Sequence, residues 1–147
     1  MNRHGFTLIE AVLTVVIAGL LAMLGFPTFA RTLSSRAAWN ARAVAIGMYA
    51  QARANATETG RATTLQWNGN TAVITATPRL NGASGSDTIG PPRNFDTMFG
   101  VSVSGSPSAV LTIDPRGLGT SASTVIFFDR NGTRDSILVT GYGRVVK

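Results

Sequence analysis

Residues 5–27 read GFTLIEAVLTVVIAGLLAMLGFP, and between Phe6 and Phe26 the stretch holds one charge, Glu10. The run from Phe6 to Phe29 is mostly apolar and has about the length a helix needs to cross a bilayer. A carboxylate inside such a run costs on the order of 3 kcal/mol even on the gentlest insertion scale, so it marks a function and needs a partner. A free α-amino group is the candidate. If the chain were cut between Gly5 and Phe6, Phe6 would carry a positive charge at the start of the same helix. That amine could neutralise Glu10 in the same chain or in a neighbour. A secretory signal peptide would end in a small-residue cleavage site, but the far end here reads GFPTFARTLSS and has no A-x-A. An ordinary anchor behind the basic leader MNRHG would fit the length and leave Glu10 unexplained.

Beyond the apolar run, Pro27 removes a backbone donor and predicts a kink or local melting near Gly25 to Pro27. The helix then resumes. Leu33, Ala37, Ala41, Val44, Met48 and Ala52 recur at helical spacing and form one stripe. Trp39, Ala43, Ile46 and Ala50 form a second, and Trp39 and Tyr49 are expected as core or rim residues. Thr59-Gly60 is a helix stop. A helix from Phe6 to about Glu58 would be roughly 80 Å long, too long for a compact domain of this size, so its first half should project.

From Arg61 the period changes to that of strands. Ala62–Trp67 and Thr71–Thr77 flank Asn68-Gly69-Asn70, a hairpin signal. Residues 78–94 read as a long surface loop. Further strands are expected at 95–103, 110–113, 123–129 and 136–140. Gly141-Tyr142-Gly143 should then turn into a last short strand over 144–147. Val125-Ile126-Phe127-Phe128 predicts a central strand buried on both faces.

The chain of 147 residues suits one domain of ordinary size and has no Cys, which excludes disulfides and Cys-based metal sites. Its formal charge of +6 sits after Phe29, in a part with eleven Arg and Lys147 against six acids. Such an excess suits a solvated basic surface or an anionic partner. Asp114, Asp129 and Asp135 sit beside turn-forming residues. Residues 129–135 have a passing likeness to a calcium loop, but two Arg inside it argue against a cation and for a hairpin turn.

The run Gly5-Phe6-Thr7-Leu8-Ile9-Glu10 resembles the processing motif of type IV pilins and type II secretion pseudopilins. The resemblance implies a prepilin peptidase that cuts after Gly5 and N-methylates Phe6, and a Glu10 that docks the subunit into a growing filament of other pilins. It implies residues 1–5 as cleaved leader, 6–30 as transmembrane and assembly helix, 31–60 as amphipathic continuation, and 61–147 as an antiparallel β domain. The fold class it implies is α+β and pilin-like, the long helix packing on an antiparallel sheet or sandwich. The place implied is the bacterial inner membrane, crossed once, with the C-terminal domain in the periplasm. With His4 lost on processing, no His- or Cys-centred catalytic group would remain, and no cofactor or metal is expected.

The second half is similar to the H-type pseudopilins of type II secretion and the FimT-type minor pilins. The carriers are Ile113-Asp114-Pro115-Arg116-Gly117, Asp129-Arg130-Asn131-Gly132 and the terminal Gly143-Arg144-Val145. A minor pseudopilin of a secretion filament is the first expectation. The alternative is a FimT-like minor pilin that holds DNA for uptake through Arg116, Arg130, Arg134, Arg144 and Lys147, if their turns share one end of the sheet. FimT-type DNA binders carry a C-terminal Gly-Arg-x-Arg. Here Arg144 matches and the second Arg does not.

Overall fold

The computed structural model describes residues 7–78, 85–106, 110–120 and 122–146, with the side chains of Leu24 and Ser106 excepted. The processing residues Gly5 and Phe6, and Lys147, lie outside the described residues. The chain divides into two compact units, Met1–Leu33 and Ser34–Lys147.

Helix α1 is Leu8–Thr59. In the first unit it runs on through Pro27, so the melting expected at Gly25–Pro27 does not occur. The missing N–H there leaves the Met23 carbonyl one helical bond short, and the surrounding ladder holds. The described apolar side chains of this part, Leu8, Val15, Leu21 and Phe29 among them, are exposed. It is long and apolar enough to cross a membrane. The Thr14 hydroxyl is satisfied within the helix, its Oγ1 donating to the Ala11 carbonyl at 2.8 Å. That is the arrangement a segment without water around it requires.

In the second unit, α1 buries a face rich in Ala. From the first expected stripe, Ala37, Ala41, Met48 and Ala52 are buried, Val44 is half-buried and Leu33 is exposed. The second stripe is corrected in part: Ile46 is half-buried against the core, but Trp39, Ala43 and Ala50 are exposed, and the buried row is Ser34, Ala38, Ala45, Tyr49 and Ala56. Helical spacing locates a stripe, but Ala on both flanks does not say which flank the sheet covers. The helix ends at Gly60, whose φ of 62° is the left-handed cap that Gly adopts without strain.

Strands β1 (Thr63–Asn68) and β2 (Thr71–Ala76) form the expected hairpin, and Gly69 with φ 59° takes the first turn position. Their alternation puts Thr63, Leu65, Trp67, Ala72, Ile74 and Ala76 inside. The expected surface loop contains two short strands, β3 (Asp87–Thr88) and β4 (Arg93–Asn94), both paired with β2. The strand expected over 95–103 is instead helix α2 (Phe95–Phe99) followed by β5 (Ser102–Ser106). Local capping overrode the apolar signal here. The Asn94 side chain accepts from the Asp96 and Thr97 amides at 2.9 and 3.0 Å, and Gly100 at φ 63° closes the C-terminus.

Strand β6 (Val110–Ile113) pairs with β1, completing an antiparallel sheet ordered β3-β2-β1-β6 with β4 also on β2. The second antiparallel sheet has the order β5-β7-β8-β9, from β7 (Thr124–Arg130), β8 (Thr133–Val139) and β9 (Val145–Val146). β7 is central as expected, but it is buried on one face only. Thr124, Ile126 and Phe128 are inside, and Val125 and Phe127 are half-buried. The Arg134 guanidinium covers Phe127 at 5.2 Å from the ring centroid. Both sheets and the second half of α1 share one core, in which Phe95 and Phe128 meet at 5.9 Å between centroids.

Candidate functional site

The first candidate lies at the start of α1. Thr7 precedes the helix, and its hydroxyl accepts from the Glu10 amide at 3.3 Å while its carbonyl accepts from the Glu10 and Ala11 amides at 3.1 Å. Thr7 is the N-cap and Glu10 stands at the third helical position, the spacing of a capping box. Sequence reasoning passed over Thr7, although a Thr three residues ahead of a Glu at the head of an apolar run is its signal. The Glu10 side chain is exposed in the first turn, where the positive end of the helix dipole favours a carboxylate.

The second candidate is the set of basic residues. The structure separates them into two groups at opposite ends of β8, a strand of seven residues and about 20 Å. Arg130 and Arg134 flank the β7–β8 turn, where Asn131 at φ 50° and Gly132 at φ 76° make the tight hairpin. Both are engaged: Arg130 Nη1 donates to the Phe99 carbonyl at 2.6 Å, and Arg134 Nε meets Asp129 at 3.2 Å. Asp129 and Asp135 are therefore strand residues in ion pairs, not turn formers. Asp135 accepts from Arg42 of α1 at 2.7 Å. Asp114 does form its turn, accepting from the Arg116 and Leu118 amides at 2.9 and 2.8 Å.

Arg116 and Arg144 belong to the other end. There Gly117 packs beside Thr57 and Arg53, and Gly119 lies against Gly141 and Gly143. Tyr49 closes this corner. Its buried hydroxyl donates to the Gly143 carbonyl at 3.2 Å, and Gly143 has φ 83°. A Cβ at Gly143 would stand 2.6 Å from that hydroxyl, so the corner admits only Gly. Burial pushes the Tyr49 phenol above its ordinary value, and Arg53 offsets part of the rise. A cavity of about 420 Å³ opens beside this corner, with Arg53 and Arg144 among its walls. Arg53 was missed as a site residue because its approach to Arg144 is made by tertiary packing across 91 positions.

A family model described as the prokaryotic N-terminal methylation motif matches residues 1–26, a stretch that includes Gly5, Phe6 and Glu10. Among solved structures, the fold is similar to that of the type IV minor pilin FimU of Pseudomonas aeruginosa. The TM-score is 0.56 at 19% identity, over 82% of this chain and 91% of that one. Among curated proteins, none matches the chain. The chain thus joins a prokaryotic N-terminal methylation motif to a long helix and antiparallel sheets in a fold similar to that of a type IV minor pilin.

Proposed function

We propose that the chain is a minor subunit of a type IV pilus-like filament, of the kind that serves type II secretion. A prepilin peptidase cuts after Gly5 and methylates Phe6. The apolar part of α1 holds the subunit in the inner membrane until it joins other pilins, with the β domain on the periplasmic side. The observation that carries this reading is Glu10, a lone carboxylate in the first turn of an exposed apolar helix that bears the methylation motif. Paired with the amine of Phe6 on an adjacent subunit, the carboxylate is neutralised and sets the axial register of assembly. The sequence likeness of the second half to H-type pseudopilins supports the secretion role. DNA capture by the basic residues is less well supported, since two of the five are engaged and stand at the far end of β8 from Arg144.

The test is incorporation. Glu10→Ala should be processed and membrane-inserted yet fall to a small fraction of wild-type abundance in sheared filaments. Wild-type abundance of that variant in filaments would remove the proposal.

A further inference from the structure

The cavity beside Tyr49 has an apolar lining of Ile46, Ala50 and Val145, with Arg53, Arg144 and the 85% exposed Tyr142 around it. Its wall is fixed by the contacts of Gly143 with Tyr49 and Gly119, so the groove is preformed. Neither Arg53 nor Arg144 makes an ion pair among the described residues. Two converging guanidinium groups over an apolar floor suit an acid beside an apolar side chain. A phosphate backbone offers no apolar group for that floor. Arg116 lies at the same end but is not among the walls of the groove, and Arg130 and Arg134 stand at the other end of β8.

That complement is on the chain itself. In α2, Phe95 and Phe99 turn inward onto the core, so Thr97 is the outward crest with Asp96 and Met98 on its flanks. Met98 is 50% exposed, and Asp96 makes no ion pair among the described residues. α2 adjoins the β7–β8 end through Arg130, whereas the groove lies at the other end of β8.

We propose that α2 of a second copy of this chain seats in the groove, with Asp96 facing Arg53 and Arg144, and Met98 against Tyr142 and the apolar floor. Because the two patches differ and stand at opposite ends of the domain, the contact is head-to-tail and leaves both outer patches free for further copies. The contact rests on the filament reading above and adds to it a specific surface between β domains.

The absence of Cys makes the test direct. Two differently tagged full-length chains, one with Tyr142→Cys and one with Thr97→Cys, are co-expressed, and their membranes are treated with a short bis-maleimide. A mixed adduct is expected, with far less adduct between identical chains. Arg53→Glu on the first chain, or Asp96→Arg on the second, should lower its yield by about tenfold, and the two together should restore it. No mixed adduct when both thiols react with a monofunctional maleimide would overturn the contact. So would an adduct indifferent to the charge reversals, or one abolished by nuclease, which would assign the groove to nucleic acid. Filament incorporation of the same chains, measured in parallel, separates failure of this contact from failure of the filament reading.

Discussion

Tyr49 is the side chain on which the distal corner of the β domain depends. Its hydroxyl reaches across 94 positions to the Gly143 carbonyl, and burial raises its pKa above the ordinary 10.0. The sign of the pH effect follows. Below about pH 10 the phenol is protonated in both folded and unfolded chains, and stability does not depend on it. Above that, the unfolded chain ionises first, so stability falls as pH rises towards the folded-state value. Tyr49→Phe should lose about 1 kcal/mol near neutral pH with the hydrogen bond. It should also lack the extra decline in melting temperature that the wild type shows as pH rises above about 10. An identical alkaline decline in both proteins would contradict the assignment. Glu10 belongs to the same scale: a charge among some twenty apolar residues marks it in the sequence, and the structure adds its place in the first turn behind the Thr7 cap.

At the scale of elements, α2 shows a short-range signal winning over composition. Phe95, Met98, Phe99, Val101 and Val103 look like a strand, yet five residues coil because Asn94 caps one end and Gly100 the other. Asn94→Ala should therefore destabilise the domain by about 1 kcal/mol in denaturant melts. Asn94→Asp should largely retain stability, since a carboxylate also accepts from the Asp96 and Thr97 amides. An Ala variant as stable as the wild type would show that packing of Phe95 alone holds the helix. The hairpins needed no tertiary information. Gly69 and Asn131-Gly132 carry the left-handed turn conformations that ordinary residues avoid, so their positions are readable in advance.

At the scale of the whole molecule, the filament reading makes a statement about covalent structure. The mature chain should begin at N-methyl-Phe6, and intact mass measurement of protein from membranes checks this. Gly5→Leu should retain the leader and hold the α-amino group away from Glu10, giving an unprocessed mass and no incorporation into filaments. A wild-type chain that still begins at Met1, or begins after Ala30, would contradict the proposal. The formal charge of +6 is likewise a property of the whole molecule, and the fold decides how little of it is concentrated. Arg42, Arg61 and Arg134 are spent in ion pairs, and Arg130 is spent on a carbonyl.

What the sequence by itself determined is local. The apolar run with its single carboxylate, the stop at Gly60, the hairpin turns and most strands follow from spacing and backbone chemistry acting within a few residues. The tertiary structure alone decided which flank of α1 is buried, because Ala occurs on both sides of the stripe and only the sheets choose between them. It also decided that Trp39 stays exposed while Tyr49 is buried, and that Arg116 and Arg144 stand apart from Arg130 and Arg134. Those outcomes depend on contacts between positions far apart in the chain, whose energies no local pattern encodes.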